Sequence, residues 1–210
     1  MLYKTNYTKK ASIFKTIFDW VLTIGIAIII SLFIVSNIGT ITQIKEQSME
    51  PTFKENDRVI VYKIRYQFKG PKKGEVIILH KDKINKGILI NMLNEAKDII
   101  SNISYRFTGK IEKKNLIKRV VGVPGDVIDI RDGNVYVNDE IEQGYDFTGS
   151  TYERSDFSYP IEIPEGKVFV LGDNREYSLD SRGLGLIDYS QIKGKVTFRI
   201  WPLNRIGRIK

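Results

Sequence analysis

Cysteine is absent from this 210-residue chain, and histidine occurs once, at position 80. The first absence excludes disulfides, a cysteine nucleophile and any thiolate metal site. The second leaves a Ser-His-Asp enzyme only His80, which ends a short apolar run and has no nucleophile-elbow motif beside it. Acidic residues are in the minority: 33 Lys and Arg against 25 Asp and Glu give a net charge of +8. That balance suits an anionic lipid surface or nucleic acid alike. No zinc-finger spacing or RNP-type aromatic run accompanies the basic residues, so nucleic acid is not an expected partner. No metal or cofactor is expected.

One long stretch lacks charge altogether. Residues 20–38 hold no Asp, Glu, Lys or Arg, and nineteen helical residues rise about 28 Å, close to the hydrocarbon thickness of a bilayer. With Ile17 and Phe18 added, the run can span. A cleaved signal sequence would have a shorter apolar core and a small-residue cleavage site, whereas Ser36-Asn37-Ile38 is a poor one. A retained, single-pass anchor over 17–39 is therefore expected in the cell membrane. Lys4, Lys9, Lys10 and Lys15 precede it, which predicts a cytoplasmic N-terminus over 1–16 and an extracytoplasmic domain over 40–210.

Past the anchor the pattern is β. Short runs rich in Val, Ile and aromatics at 57–62, 75–80, 127–130, 135–137, 168–171 and 196–201 are bounded by Gly, Pro, Asp or Asn. Asp132-Gly133-Asn134 predicts a hairpin turn. The expected fold is mostly β: one transmembrane helix, then a largely antiparallel domain with a small β-lobe inserted at about 131–164. Residues 145–160, rich in aromatic, Asp, Ser and Thr residues, read as an exposed loop or lobe. Within an insertion at about 81–114, Leu89, Met92, Leu93, Ala96, Ile99, Ile100 and Ile103 recur at helical spacing. That stripe is expected to pack on the domain core; lying on the membrane surface is the alternative.

Ser48-Met49-Glu50-Pro51-Thr52 begins ten residues after Ile38. A serine hydroxyl needs a base, and a lysine serves if its ammonium is destabilised. Lys118, in Lys-Arg-Val-Val-Gly-Val-Pro-Gly-Asp, is the candidate. Lowering a lysine from about 10.4 to about 8 costs roughly 3 kcal/mol, which burial among apolar groups supplies. Strand alternation puts Lys118 on the face of Leu116 and Val120. Residues 172–185 then concentrate Asp173, Asn174, Arg175, Ser178, Asp180, Ser181 and Arg182 in one loop after an apolar strand. Such loops scaffold sites, because their side chains bond one another. Ser178 is expected to bond the lysine amine and an Asp180–Arg182 ion pair to brace the loop.

These segments, with the 74–79 strand and the ending Phe198-Arg199-Ile200-Trp201-Pro202-Leu203, resemble bacterial type I signal peptidase over nearly the whole chain. The single span and modest length look more like its Gram-positive branch. The resemblance implies a membrane-bound endopeptidase that removes signal peptides from exported preproteins. It implies Ser48 as nucleophile, Lys118 as general base and later general acid, and the Ser48 N–H as half of an oxyanion hole. It also implies small pockets for substrate positions −1 and −3 lined by Ile44, Phe53, Val59 and Ile117. Met49 joins these as a substrate-side residue, and Met49 and Phe53 are expected to dip into the membrane interface. Signal peptides and the lipid bilayer are then the partners, and a monomer is expected.

Two departures stand out: the 81–114 segment is longer than the family's usual link, and Glu46 occupies a position that is usually Gly or Ser. Glu46 is expected to turn away from the site. Ser12 to Lys15 and Ser190 to Lys193 match a bare Ser-x-x-Lys pattern without companion motifs. A membrane-tethered scaffold with an inert serine is the reading from another class.

Overall fold

The computed structural model describes residues 5–64, 69–81, 83, 87–108, 115–153 and 158–209, with backbone alone at 5–12 and 102–108. Lys4 and the side chains of Lys9, Lys10 and Ile103 therefore lie outside the described residues.

Helix α1 (Thr5–Phe33) runs into a π-helical turn at Ile34–Ile38. The stretch Ile13–Ile38 is apolar enough to cross a membrane, with mean hydropathy 2.5 over its best window. Its side chains stand away from the rest of the chain, Phe14 and Trp20 among them, as a lipid-facing helix requires. Its end is covered: Ser36 and Asn37 are buried where the domain begins.

The domain is built on antiparallel pairing. Strands β1 (Gly39–Gln43), β2 (Arg58–Tyr62), β3 (Val76–His80), β4 (Asn115–Gly122), β9 (Lys167–Leu171), β10 (Ile187–Asp188) and β11 (Ile192–Trp201) form one sheet in the order β1-β2-β11-β3-β4-β9-β10, and β12 (Gly207–Arg208) pairs with β11. A smaller sheet, β7-β6-β5-β8, comprises β5 (Val127–Arg131), β6 (Asn134–Val137), β7 (Glu140–Ile141) and β8 (Ile161–Glu162). The β5–β6 hairpin turns at Asp132 and Gly133, both with positive φ (52° and 76°), as the Asp-Gly pair predicts. Strand β1, with Gly and three hydroxyl or amide residues in five, carries no apolar alternation and so gives no strand signal in the sequence.

Strand β4 is central, between β3 and β9, and is buried from Leu116 to Gly122 on both faces. Leu116 and Val120 join Ile77, Leu79, Val168 and Val170 in one apolar cluster, while Ile117 belongs to another with Phe53 and Val59. This split is the alternation expected around Lys118.

Helix α2 (Ile88–Thr108) supplies the insertion's helix but corrects its expected packing. Leu89, Leu93 and Ile100 are 74%, 63% and 66% exposed. The polar face packs instead: Asn91 donates to Asn37 (3.1 Å), and Glu95 and Asp98 pair with Lys63 and Lys193 (2.8 and 2.7 Å). Among the described residues these polar contacts hold the helix to the domain, and Leu89, Leu93 and Ile100 are turned outward while Met92 and Ala96 are half-buried.

Candidate active site

Residues 44–57 link β1 to β2 and carry Ser48. The segment is closed at its base by Ile44 N–H to Asp57 O and Asn56 N–H to Ile44 O, each 2.8 Å. Beyond the serine, Phe53 N–H donates to Met49 O (2.8 Å), and both side chains are fully buried. This corrects the expectation that Met49 and Phe53 reach the membrane interface: they are the plug that seats the segment in the domain, with Ile44, Val59, Val61, Val76, Ile117 and Val196 around them. Ser48 itself is 5% exposed.

Lys118 Nζ lies 2.6 Å from Ser48 Oγ and donates to Ile117 O at 2.8 Å. The lysine has no exposed surface. Burial disfavours its ammonium and lowers the amine from 10.5 to about 8, against an upward pull from the carboxylates of Glu46, Asp180 and Asp173; Arg182 adds to the lowering. At neutral pH about a tenth of such a lysine is the free amine, where an ordinary one offers far less than a hundredth. The half-buried Glu46 is the first of the three carboxylates in effect. Its charge acts on the Lys118 amine.

The loop after β9 holds this pair from below. Gly172 passes between Ser48 and Ser178 so closely that a Cβ on it would overlap the Ser48 carbonyl oxygen and the Ser178 side chain. Ser48 O accepts from Asn174 N–H (3.1 Å), and Asn174 Nδ2 donates to Gln47 O (3.3 Å). The Asp180 carboxylate accepts from the Gly172 N–H and from both arms of Arg182, Nε and Nη2 at 2.8 Å each. Ser178, expected from sequence to be a partner of the lysine, is buried against Gly172 and contributes to holding the Asp180 carboxyl low. Asp180 thereby stays ionised below the ordinary carboxylate range despite burial, because these donors outweigh desolvation. Asp180 also caps the short helix α3 (Ser181–Leu184).

A second brace lies beyond what the sequence motifs indicate. Arg119 meets Asp173 with two parallel bonds, 2.8 and 2.7 Å, in a geometry only arginine provides. Asp173 Oδ2 accepts the Thr52 hydroxyl at 2.5 Å, and Arg119 Nη1 donates to Gly74 O. The charged neighbours in Lys118-Arg119 and Asp173 are the available signal; the partner Thr52 lies too far along the chain to be inferred from spacing. Further out, Arg175 is fully buried against Glu142 (2.7 Å) and Thr151 (2.9 Å). Tyr145 and Phe147 roof the guanidinium groups of Arg119 and Arg175 at 4.3 and 3.9 Å. The start of the expected exposed loop is thus the lid of this ionic layer.

Of the competing pairs, Ser12 lies outside the residues whose side chains are described, and Ser190 and Lys193 do not assemble. Lys193 is taken by Asp98 and not offered to Ser190, and His80 lies at the end of β3 opposite Asn115. Among the described residues no group of His, Asp and Glu is arranged to hold a metal.

A serine hydroxyl 2.6 Å from a buried lysine of lowered pKa, on an antiparallel β-domain behind an apolar helix, is the arrangement of a serine hydrolase of the Ser/Lys type. Comparison with known proteins says which. The family model "Signal peptidase, peptidase S26" matches residues 17–201. Signal peptidase IB of Staphylococcus aureus strain COL is 36% identical over 205 residues, covering 90% of this chain and 92% of its own. Signal peptidase I of Leptolyngbya laminosa is 32% identical over 188 residues, covering 89% and 81%. A signal peptidase I structure from Enterococcus faecalis V583 aligns with a TM-score of 0.40 at 23% identity, covering 61% of this chain and 98% of that one. The chain belongs to the signal peptidase family, peptidase S26. It is a peptide-bond hydrolase with signal peptidase activity.

Proposed function

We propose that this chain cleaves the signal peptides of exported preproteins at the outer membrane face, with Ser48 as nucleophile and Lys118 as general base. The 2.6 Å contact between Ser48 Oγ and the fully buried Lys118 Nζ carries the reading. The neutral amine takes the hydroxyl proton as Ser48 Oγ attacks the scissile carbonyl carbon. The resulting ammonium gives that proton to the leaving amine, the new N-terminus of the mature protein departs, and an ester to Ser48 remains. Lys118 then draws a proton from water, whose attack on the ester releases the signal peptide and restores the serine. The backbone N–H of Ser48 is the proposed donor to the developing oxyanion. The family's usual second donor position is Glu46 here, so a second N–H or a water completes the hole.

Specificity at −1 and −3 is assigned to Ile44, Phe53, Val59 and Ile117, with Met49 behind them. These side chains gather in one buried apolar cluster that includes Met49, the residue after the serine, and the pockets proposed for them favour Ala, Gly or Ser. Asp180, Arg182 and Ser178 support the base and are not reacting groups. The anchor crosses the membrane once with its N-terminus cytoplasmic, supported by the lysines before the span and the apolar length of Ile13–Ile38. The ten-residue link to Ser48 then keeps the site within about 35 Å of the bilayer. The enzyme is proposed to act as a monomer.

The test is cleavage of a preprotein by full-length enzyme in proteoliposomes, compared with Ser48→Ala and Lys118→Ala. Each change abolishes cleavage, and the double variant is no worse than either. Full activity in the Lys118→Ala protein refutes the dyad.

A further inference from the structure

An amphipathic helix normally turns its apolar face to its own domain. Helix α2 does the reverse, and where it lies says what it faces. Asn91, Glu95 and Asp98, at successive turns of one face, meet Asn37, Lys63 and Lys193. Asn37 is in the last turn of the apolar helix. Lys63 follows the end of β2, its N–H bonded to Ile38 O, and Lys193 lies on β11 two residues from Lys195, the register partner of Tyr62. The three partners mark the sheet end from which the apolar helix leaves. Helix α2 therefore crosses that end, from the helix exit over β2 to β11. With its polar side spent on the domain, Leu89, Leu93 and Ile100 share the opposite, outward face. Glu95 is four-fifths buried at its side chain and its partner Lys63 nine-tenths, so the helix is not loosely attached.

We propose that helix α2 is a membrane-surface helix: its Leu89, Leu93 and Ile100 face embeds in the outer leaflet beside the anchor and seats the catalytic domain on the bilayer. The occupant is lipid, because the outward face is continuous with the exit of a helix that is itself lipid-facing. The proposal rests on the reading that Ile13–Ile38 spans the membrane. A single tether leaves a domain free to swivel; a second, in-plane contact fixes which side of the sheet meets the membrane and how high Ser48 stands above it.

The cysteine-free chain suits the test. Full-length enzyme carrying Leu93→Cys, Ile100→Cys, Ile28→Cys or Glu140→Cys is labelled with an environment-sensitive fluorophore and reconstituted at high lipid excess. Quenching by brominated acyl chains is compared with quenching by aqueous iodide, and retained preprotein cleavage reports the fold. The proposal expects lipid quenching and iodide protection at 28, 93 and 100, and the opposite at 140 on the small sheet. Iodide quenching at 93 and 100 with position 28 still lipid-protected overturns the surface helix and leaves the span standing. Iodide access at 28 overturns the span and the surface helix with it. Protection at 93 that fades as protein is diluted in lipid, or disulfide cross-linking of two unlabelled Leu93→Cys molecules through their introduced thiols, identifies a second copy as the occupant and also overturns it. A Leu93→Glu/Ile100→Glu variant adds a functional readout: slower cleavage of membrane-inserted preprotein with unchanged cleavage of a short soluble peptide.

Discussion

Gly172 and Ser48 touch through their backbones: the space a side chain on Gly172 would occupy is filled by the Ser48 carbonyl oxygen. The loop bearing Asp180 and the segment bearing the nucleophile are in contact without an intervening side chain, and Asn174 N–H locks them at 3.1 Å. Gly172→Ala is expected to push the Ser48 segment off Lys118 and to lower kcat about a hundredfold, since displacement of a reacting group by about 1 Å has that effect. Steady-state kinetics on folded Gly172→Ala protein checks this; wild-type turnover refutes it.

The pH profile follows from the buried amine. With Lys118 lowered to about 8, the active neutral form grows about tenfold per pH unit below that value and saturates above it. The acidic limb of kcat/KM is expected near pH 8, with no activity maximum near pH 5.

Glu46 offers a graded test of the same group. Its carboxylate favours the Lys118 ammonium, so Glu46→Ser removes an upward pull and moves the acidic limb to lower pH, with turnover unchanged or raised. A limb that moves to higher pH, or a hundredfold loss at the plateau, gives the carboxylate another role.

Stability and activity are opposed at Lys118. Its folded pKa lies below the unfolded value, so the unfolded chain binds the proton more tightly: stability rises as pH increases from about 8 to 10.5 and is lowest, by roughly 3 kcal/mol, below pH 8. Lys118→Met is expected to be inactive yet more stable at pH 7, with the advantage vanishing above pH 10.5. Urea denaturation at the two pH values measures the difference.

Asp180→Ala leaves Arg182 buried beside Lys118 without its bidentate partner. Loss of one member of a buried pair costs about 3–5 kcal/mol. Thermal or urea unfolding is expected to show that loss, and where the variant folds its kcat/KM limb shifts below pH 8, because one of the carboxylates holding up the Lys118 pKa is gone.

What sequence reveals here depends on the range of the physics. Strand alternation, the Asp132-Gly133 turn and the apolar helix are local properties and were legible. Ser48 and Lys118 were legible as chemistry, a serine needing a base in a chain with almost no histidine. Thr52, Arg119 and Asp173 form a brace across 54 to 121 residues of sequence, and no local pattern encodes it. Helix α2 shows the sharper limit: periodicity locates an apolar face but is silent on its orientation, which three polar contacts decide. Met49 and Phe53 read as flanking groups because nothing in five residues tells a plug from a fin.

Lys118 and Arg119 are consecutive on β4, so their side chains depart in opposite directions, yet both return to the same stretch of chain. One ends on Ser48, the other reaches Thr52 through Asp173. Ser48, the proposed nucleophile, is thus gripped by a single strand as by a caliper, with one jaw on its hydroxyl and the other on Thr52. Whatever rocking the domain undergoes on its tether, the two jaws move together. On the proposed membrane tether, motion of the whole domain thus leaves the spacing between the proposed attacking oxygen and its proton acceptor unchanged.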